Sequence, residues 1–505
     1  MNIRNTSRTL VLVASLGGVG FQVQTPALAQ GPEAAAPPGA PEAVKGKETD
    51  CVQEWADLVE RYQPIGGQDV RAPNAHDSLV QIFALIEGVN QRVWKSVHAT
   101  PPDFETVYSR REGEAAGDEA SRQRAAALVM LEELDRSEFD ALFAELVGRA
   151  RAVVPPIDSP KRAAELEAMG IAESESVGSR LLGATLPELS KVRNATRINL
   201  ARMHQAAAAG DWNRLVRCFE QILAMARVVS HQPSQLDRLT AMAVASVAMI
   251  HVRWHITEGR PNDAVLEAIT AAMERQLRFP PMEFYSEGEK LMVLDMLSLT
   301  FKQRGLKLIL PVEGEQPDEK GEAPEPRKPG KATVRQSLET IIEYYKLVKK
   351  EVALARFERA PLATDRRTFE QERIVRRVPL LEPLIKTVDM MMNSADQFEL
   401  ERAGTRAFIA VERSQRATGV WPATLNDAAK QPQLSTMIDP WSSNLPVKYL
   451  RLDAPDAYGR NYLIYSVGVD GEDDRGKELE KAKRLDALNK PLTVGADFVI
   501  NLPRE

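Results

Sequence analysis

The sequence predicts a mostly α protein: an array of helical hairpins followed by a small α+β module with a short antiparallel sheet. Three observations point there. Apolar residues recur at three- and four-residue spacing along most of the chain. The composition is rich in Ala, Leu, Glu and Arg with only 6% aromatic residues, which favours helix. Alternating β-type runs occur only near the end, at Val447 to Leu450, Tyr462 to Val467 and Phe498 to Leu502. With 505 residues, 44% hydrophobic and 27% charged, the chain is long enough for two or three globular domains of roughly 100–200 residues each.

Residues 1–29 have the pattern of a secretory signal: Arg4 and Arg8, an apolar stretch from Leu10 to Phe21, then Ala27-Leu28-Ala29 before Gln30. The apolar stretch is shorter than the ~20 residues of a membrane span. The expectation is an exported protein, periplasmic or extracellular, with no transmembrane span once the signal is removed. Residues 30–48, with Pro37, Pro38 and Pro41, form a flexible spacer. The net charge is −6, with no basic stripe interleaved with aromatics, so nucleic acid is not an expected partner. The two cysteines, Cys51 and Cys218, leave a disulfide and two buried thiols equally open.

Residues 49–310 read as the α-helical domain. Trp55, Leu58 and Val59 share a face, as do Leu79, Ile82, Leu85, Ile86 and Val89. The clearest hairpins lie between Leu189 and Gln276. Gly210-Asp211 supplies a helix stop and a new N-cap, Ser234 starts the next helix, and Gly259-Arg260-Pro261 turns into another. The tight turns resemble those of tetratricopeptide repeats, but no regular 34-residue period is present. Leu239 to Ile250 is short and Ala-rich, a core helix rather than a span. Residues 311–332 are dense in Pro, Glu, Lys and Gly and cannot bury a core. Residues 333–383 continue the helices to a break at Pro379 and Pro383.

Residues 384–505 form the last module. An amphipathic helix from about Leu384 to Arg416 is followed by Gly419-Val420-Trp421-Pro422, Asp439-Pro440-Trp441 and the stretch Tyr462 to Asp474. This order of motifs resembles the C-terminal region of the major pseudopilin of type II secretion systems, and so a pilin-like module. The chain as a whole is similar to uncharacterised exported proteins of planctomycete-type bacteria. The pseudopilin resemblance implies a calcium-binding loop after the Tyr-Ser-x-Gly strand. Carried onto this sequence, its acids are Asp470 and Asp497, with Asp473 and Asp474 as further candidates. Calcium takes several oxygen ligands, which clustered Asp on a Gly-containing loop can provide. The spacing is not that of an EF-hand. An acidic solvated turn that binds nothing is the plainer reading of the same residues. The sequence departs from the family in a Lys-rich insertion, Lys477 to Thr493, and in lacking the family's N-terminal membrane helix.

Other constellations read as structure. His251 and His255 share a helix face, but no zincin Glu accompanies them and Arg253 between them would oppose a cation. Glu132, Glu133 and Asp135 read as a solvated run, and Met390-Met391-Met392 as core filling rather than a copper site. No catalytic motif stands out. The functional expectation is an exported, non-enzymatic structural or interaction protein with an unidentified protein partner and a calcium-stabilised module. The alternatives are an envelope hydrolase with a site between array and module, and a component of secretion or pilus-like machinery.

Overall fold

The computed structural model describes residues 51–63, 72–96, 102–108, 119–155, 160–169, 181, 188–304, 334–375, 387–457, 459–468, 471–476 and 497–501. The signal, the spacer, the 311–332 stretch, the break at Pro379 and Pro383, the Lys477 to Thr493 insertion and Asp470 lie outside them. Within them the protein is mostly helical with one small antiparallel sheet, as the periodicity predicts.

The first helices are α1 (Cys51–Arg61), α2 (Ala75–Ser96), the single turn α3 (Glu105–Tyr108), α4 (Glu119–Asp135), α5 (Phe139–Gly148) and α6 (Pro160–Ala168). The hairpin array proper is α7 (Leu189–Ala208), α8 (Trp212–Ser230), α9 (Gln235–Gly259) and α10 (Asp263–Gln276). Its turns are set by caps. Asp211, Ser234 and Asn262 each accept a hydrogen bond from the backbone N–H three residues on, satisfying donors the helix cannot. Arg260 closes α9 in the left-handed region at φ 46°. Helix α8 packs on α7, α9 and α10. Helix α9 is apolar enough to cross a membrane, but 83% of its apolar window is buried inside the fold, so it is the array's central helix.

Helices α11 (Met282–Arg304), α12 (Val334–Val352) and α13 (Ala360–Phe369) follow. A π-helical turn, Glu370–Val375, continues α13. They share a second core with α1, built around Trp55, Phe284, Tyr344 and Val348. Cys51 lies in that core and Cys218 in the main one. Neither is in a disulfide, which closes the disulfide question.

The module begins with the long helix α14 (Thr387–Thr418), followed by the short turns α15 (Leu425–Ala428) and α16 (Gln431–Leu434). Strands β1 (Lys448–Arg451), β2 (Tyr462–Ser466) and β3 (Phe498–Val499) form an antiparallel sheet in the order β1-β2-β3. Helix α14 is the module's spine, and it also packs on α9 and α10. Phe279 stacks on Phe398 at 5.1 Å. Arg253 of α9 is buried between Thr405, whose hydroxyl it reaches at 2.5 Å, and Glu401 at 2.7 Å. Arg413 grips Asp263 through two bonds of 2.6 and 2.8 Å. A side chain at Gly404 would place Cβ 2.4 Å from Ile500, so the glycine lets the end of the sheet press onto the spine. One apolar cluster accordingly runs from Ala75 to Ile500.

Candidate functional site

The motif-rich end of the module is organised by carboxylates. Asp439 is buried and accepts from three donors: the Trp441 N–H at 2.9 Å, the Ser466 hydroxyl at 2.9 Å and the Val467 N–H at 3.1 Å. The Asp-Pro-Trp turn is thus tied to the end of β2. Burial raises the Asp439 pKa despite these donors. The Asn501 side chain extends β3 as a mock strand, accepting from Ile464 N–H and donating to Tyr462 C=O, both at 2.7 Å. Tyr462 donates to Glu412 on the spine at 2.8 Å.

The acidic loop follows. Asp473 accepts from the Tyr465 hydroxyl and the Arg475 N–H, both at 3.0 Å, and lies 3.5 Å from the Lys448 ammonium. These contacts outweigh its burial and lower its pKa. Gly476 adopts φ 77°, a left-handed turn that aims its N–H at Asp497 Oδ2, 2.6 Å away. The Asp474 backbone also donates to Asp497. Asp497 is only 3% exposed, and its other oxygen, Oδ1, has no hydrogen-bond partner. Asp474 Oδ2 is likewise buried and unpartnered. Burial, reinforced by the like charges of Asp473 and Asp474, raises the Asp497 pKa. The fold therefore brings Asp473, Asp474 and Asp497 to one loop, with two carboxylate oxygens lacking donors. One ligand atom from each does not come within 4.8 Å of the others, so the three acids share a loop without converging on one point. Asp470 lies outside the described residues.

The remaining candidates fall into the core. His251 and His255 are buried beside Trp254, and His204 of α7 joins them, stacked on Trp254 at 5.5 Å. Burial pushes the His251 pKa down to about 4 and that of His255 to about 3, so both are neutral at pH 7. Arg253 points away from them towards the spine. Met391 and Met392 are core residues. Glu132 and Glu133 pair with Arg136 at the surface, whereas Asp135 holds Arg202 and Arg214.

Two polar clusters carry no sequence signature. At the start of α9, Asp237 is buried with Oδ2 unpartnered, and Glu289 of α11 accepts the Gln235 N–H at 3.3 Å. Burial raises the Asp237 pKa well above normal and that of Glu289 to about 7. Beside them, His76, Arg162, Glu165 and Glu188 form a buried network between partners 86 and 112 residues apart. No local pattern could announce it, because His76, the Arg162–Glu165 pair of α6 and Glu188 come from three separate segments. No protein-family model, curated protein or solved structure matches this chain.

Proposed function

We propose that the chain is an exported, non-enzymatic structural or interaction protein whose pilin-like C-terminal module is held together by a calcium ion. Asp473, Asp474 and Asp497 would ligate it, with Asp470 completing the set that the pseudopilin resemblance implies. The observation that carries this reading is Asp497: a carboxylate sealed from water, with one oxygen unpartnered and like charges as neighbours. A buried carboxylate in that condition is unfavourable unless a cation or a proton meets it. The ion would tie the loop after β2 to the start of β3, and so close the sheet. The hairpin array would offer its outer surface to a protein partner, as stacked hairpins do. Docked on α9 and α10 by Arg253, Phe279 and Asp263, the spine helix belongs to the fold of a single chain. That arrangement favours a stand-alone structural role over assembly into a filament.

The test is a thermal melt of the full chain with calcium and with EDTA, followed by proteolysis near the melting transition. Calcium is expected to raise the melting temperature and protect the module. Identical melting and cleavage under both conditions would refute the calcium part.

A further inference from the structure

The buried network at the start of α2 has the parts of a second, chemically different cation site. His76 is 1% exposed. Its Nε2 lies 3.1 Å from Glu188 Oε1, and Glu188 is clamped by the Arg162 guanidinium. Ion-paired with Arg162, the Glu188 carboxylate stands ready to accept from the imidazole. With Nε2 turned towards Glu188, Nδ1 is the nitrogen left to meet a ligand. Nδ1 is buried, has no hydrogen-bond partner and faces Glu165 Oε2 at 3.7 Å. Glu165 Oε1 is also buried without a hydrogen-bond partner.

Asp77, the next residue on α2, completes the group. One ligand atom from each of His76, Asp77 and Glu165 lies within 4.8 Å of the others, and no other His, Cys, Asp or Glu trio among the described residues meets that test. The Lys161 ammonium stands 2.8 Å from Asp77 Oδ1 and 3.8 Å from Glu165 Oε1. Its side chain is 57% exposed, so a positive charge already sits where a metal's would, on an arm that can leave for water.

We infer that His76, Asp77 and Glu165 form a binding site for a divalent transition cation of the zinc type, with Glu188 orienting the imidazole from behind and Lys161 holding the place of the metal's charge in its absence. One imidazole nitrogen and two carboxylate oxygens suit zinc, cobalt or manganese rather than calcium. A carboxylate on the far nitrogen of a ligating histidine is the usual supporting contact, fixing the tautomer and making the ligand more basic. Three protein ligands leave the fourth position to water. Bound there, the metal would join α2 to α6, displacing the lysine.

Cobalt(II), a coloured stand-in for zinc, tests this on the full chain with calcium kept in excess to fill the acidic loop. The expected result is a visible d–d band that saturates at one equivalent and is displaced by zinc. His76→Gln and Glu165→Gln should abolish it. Glu188→Gln should weaken binding by about 10–100-fold. Lys161→Ala, a change at an exposed side chain, should tighten binding by removing the competing charge. Circular dichroism identifies any variant that fails to fold. A Lys161→Ala protein that gives no band, or a band that survives in folded His76→Gln and Glu165→Gln proteins, would overturn the proposal and leave the cluster an ion-pair knot.

Discussion

Around Arg366, three carboxylates surround one guanidinium. Glu351 of α12 accepts at 2.6 Å, Glu370 of the π turn and Asp389 of α14 accept from the two remaining nitrogens, and the arginine is 1% exposed. Asp497 is about as deeply buried, yet its donors are the backbone N–H groups of Gly476 and Asp474, and the charges nearest it have its own sign. In the first centre every guanidinium nitrogen is met by a carboxylate, and α12, α13 and α14 are fastened together. The second is complete only if something positive arrives. A buried charge already met serves architecture, and one left unmet marks where a proton or an ion belongs.

Buried imidazoles extend the comparison and give the largest expected effect. Burial holds the pKa of His231 and of His251 down to about 4, and that of His255 to about 3. The unfolded chain takes up these protons near pH 6.5, so the stability they contribute is full above that value and is lost as the pH falls towards 4. Urea denaturation at pH 7, 5.5 and 4.5 should record a loss on the order of 3 kcal/mol for each of His231 and His251. A flat profile would mean that these rings are not held neutral. Next comes the complete centre itself. Arg366→Ala leaves the buried Glu351 without its cation and is expected to destabilise the fold by about 3–5 kcal/mol in the same assay. A loss below about 1 kcal/mol, the size of a surface pair, would show that the network is solvated.

Glu289 gives a smaller effect of opposite sign. Its folded pKa is raised to about 7 by burial, so the contribution of the held proton is present below pH 4.5 and lost as the pH rises through 7. Glu289→Gln keeps the shape and removes the charge. It should be more stable than the parent by on the order of 2–3 kcal/mol at pH 8, and equal to it at pH 4. Destabilisation at pH 8 would mean that the carboxylate is met by a cation.

Much of this architecture was legible because helices and strands announce themselves by period. The run Leu215, Phe219, Ile222, Leu223 placed α8, and Asp211 and Ser234 are the caps their positions suggested. The Tyr462 to Val467 run became β2, one residue shorter. The buried charges were not legible. Arg162, Arg202, Arg253 and Arg366 are among the largest fully buried side chains, yet on a helix their letters look like solvent-facing charge. Besides the local pairs Arg162–Glu165 and Arg366–Glu370, their partners come from other segments, so only the fold reveals them. The Asp-Pro-Trp motif was visible, but not its role of capping β2. Of the four aspartates read as ligands, three lie where the acidic loop meets β3, and what singles out Asp497, an oxygen without a donor, is a property of packing.

Calcium titration of the full chain by calorimetry, set beside Asp497→Asn, probes the acidic loop itself. One saturable calcium site is expected in the parent, absent in a folded Asp497→Asn protein, whose neutral amide should also melt higher than the parent when both are in EDTA. No calcium heat in the parent, or an undiminished site after the substitution, would contradict the calcium proposal.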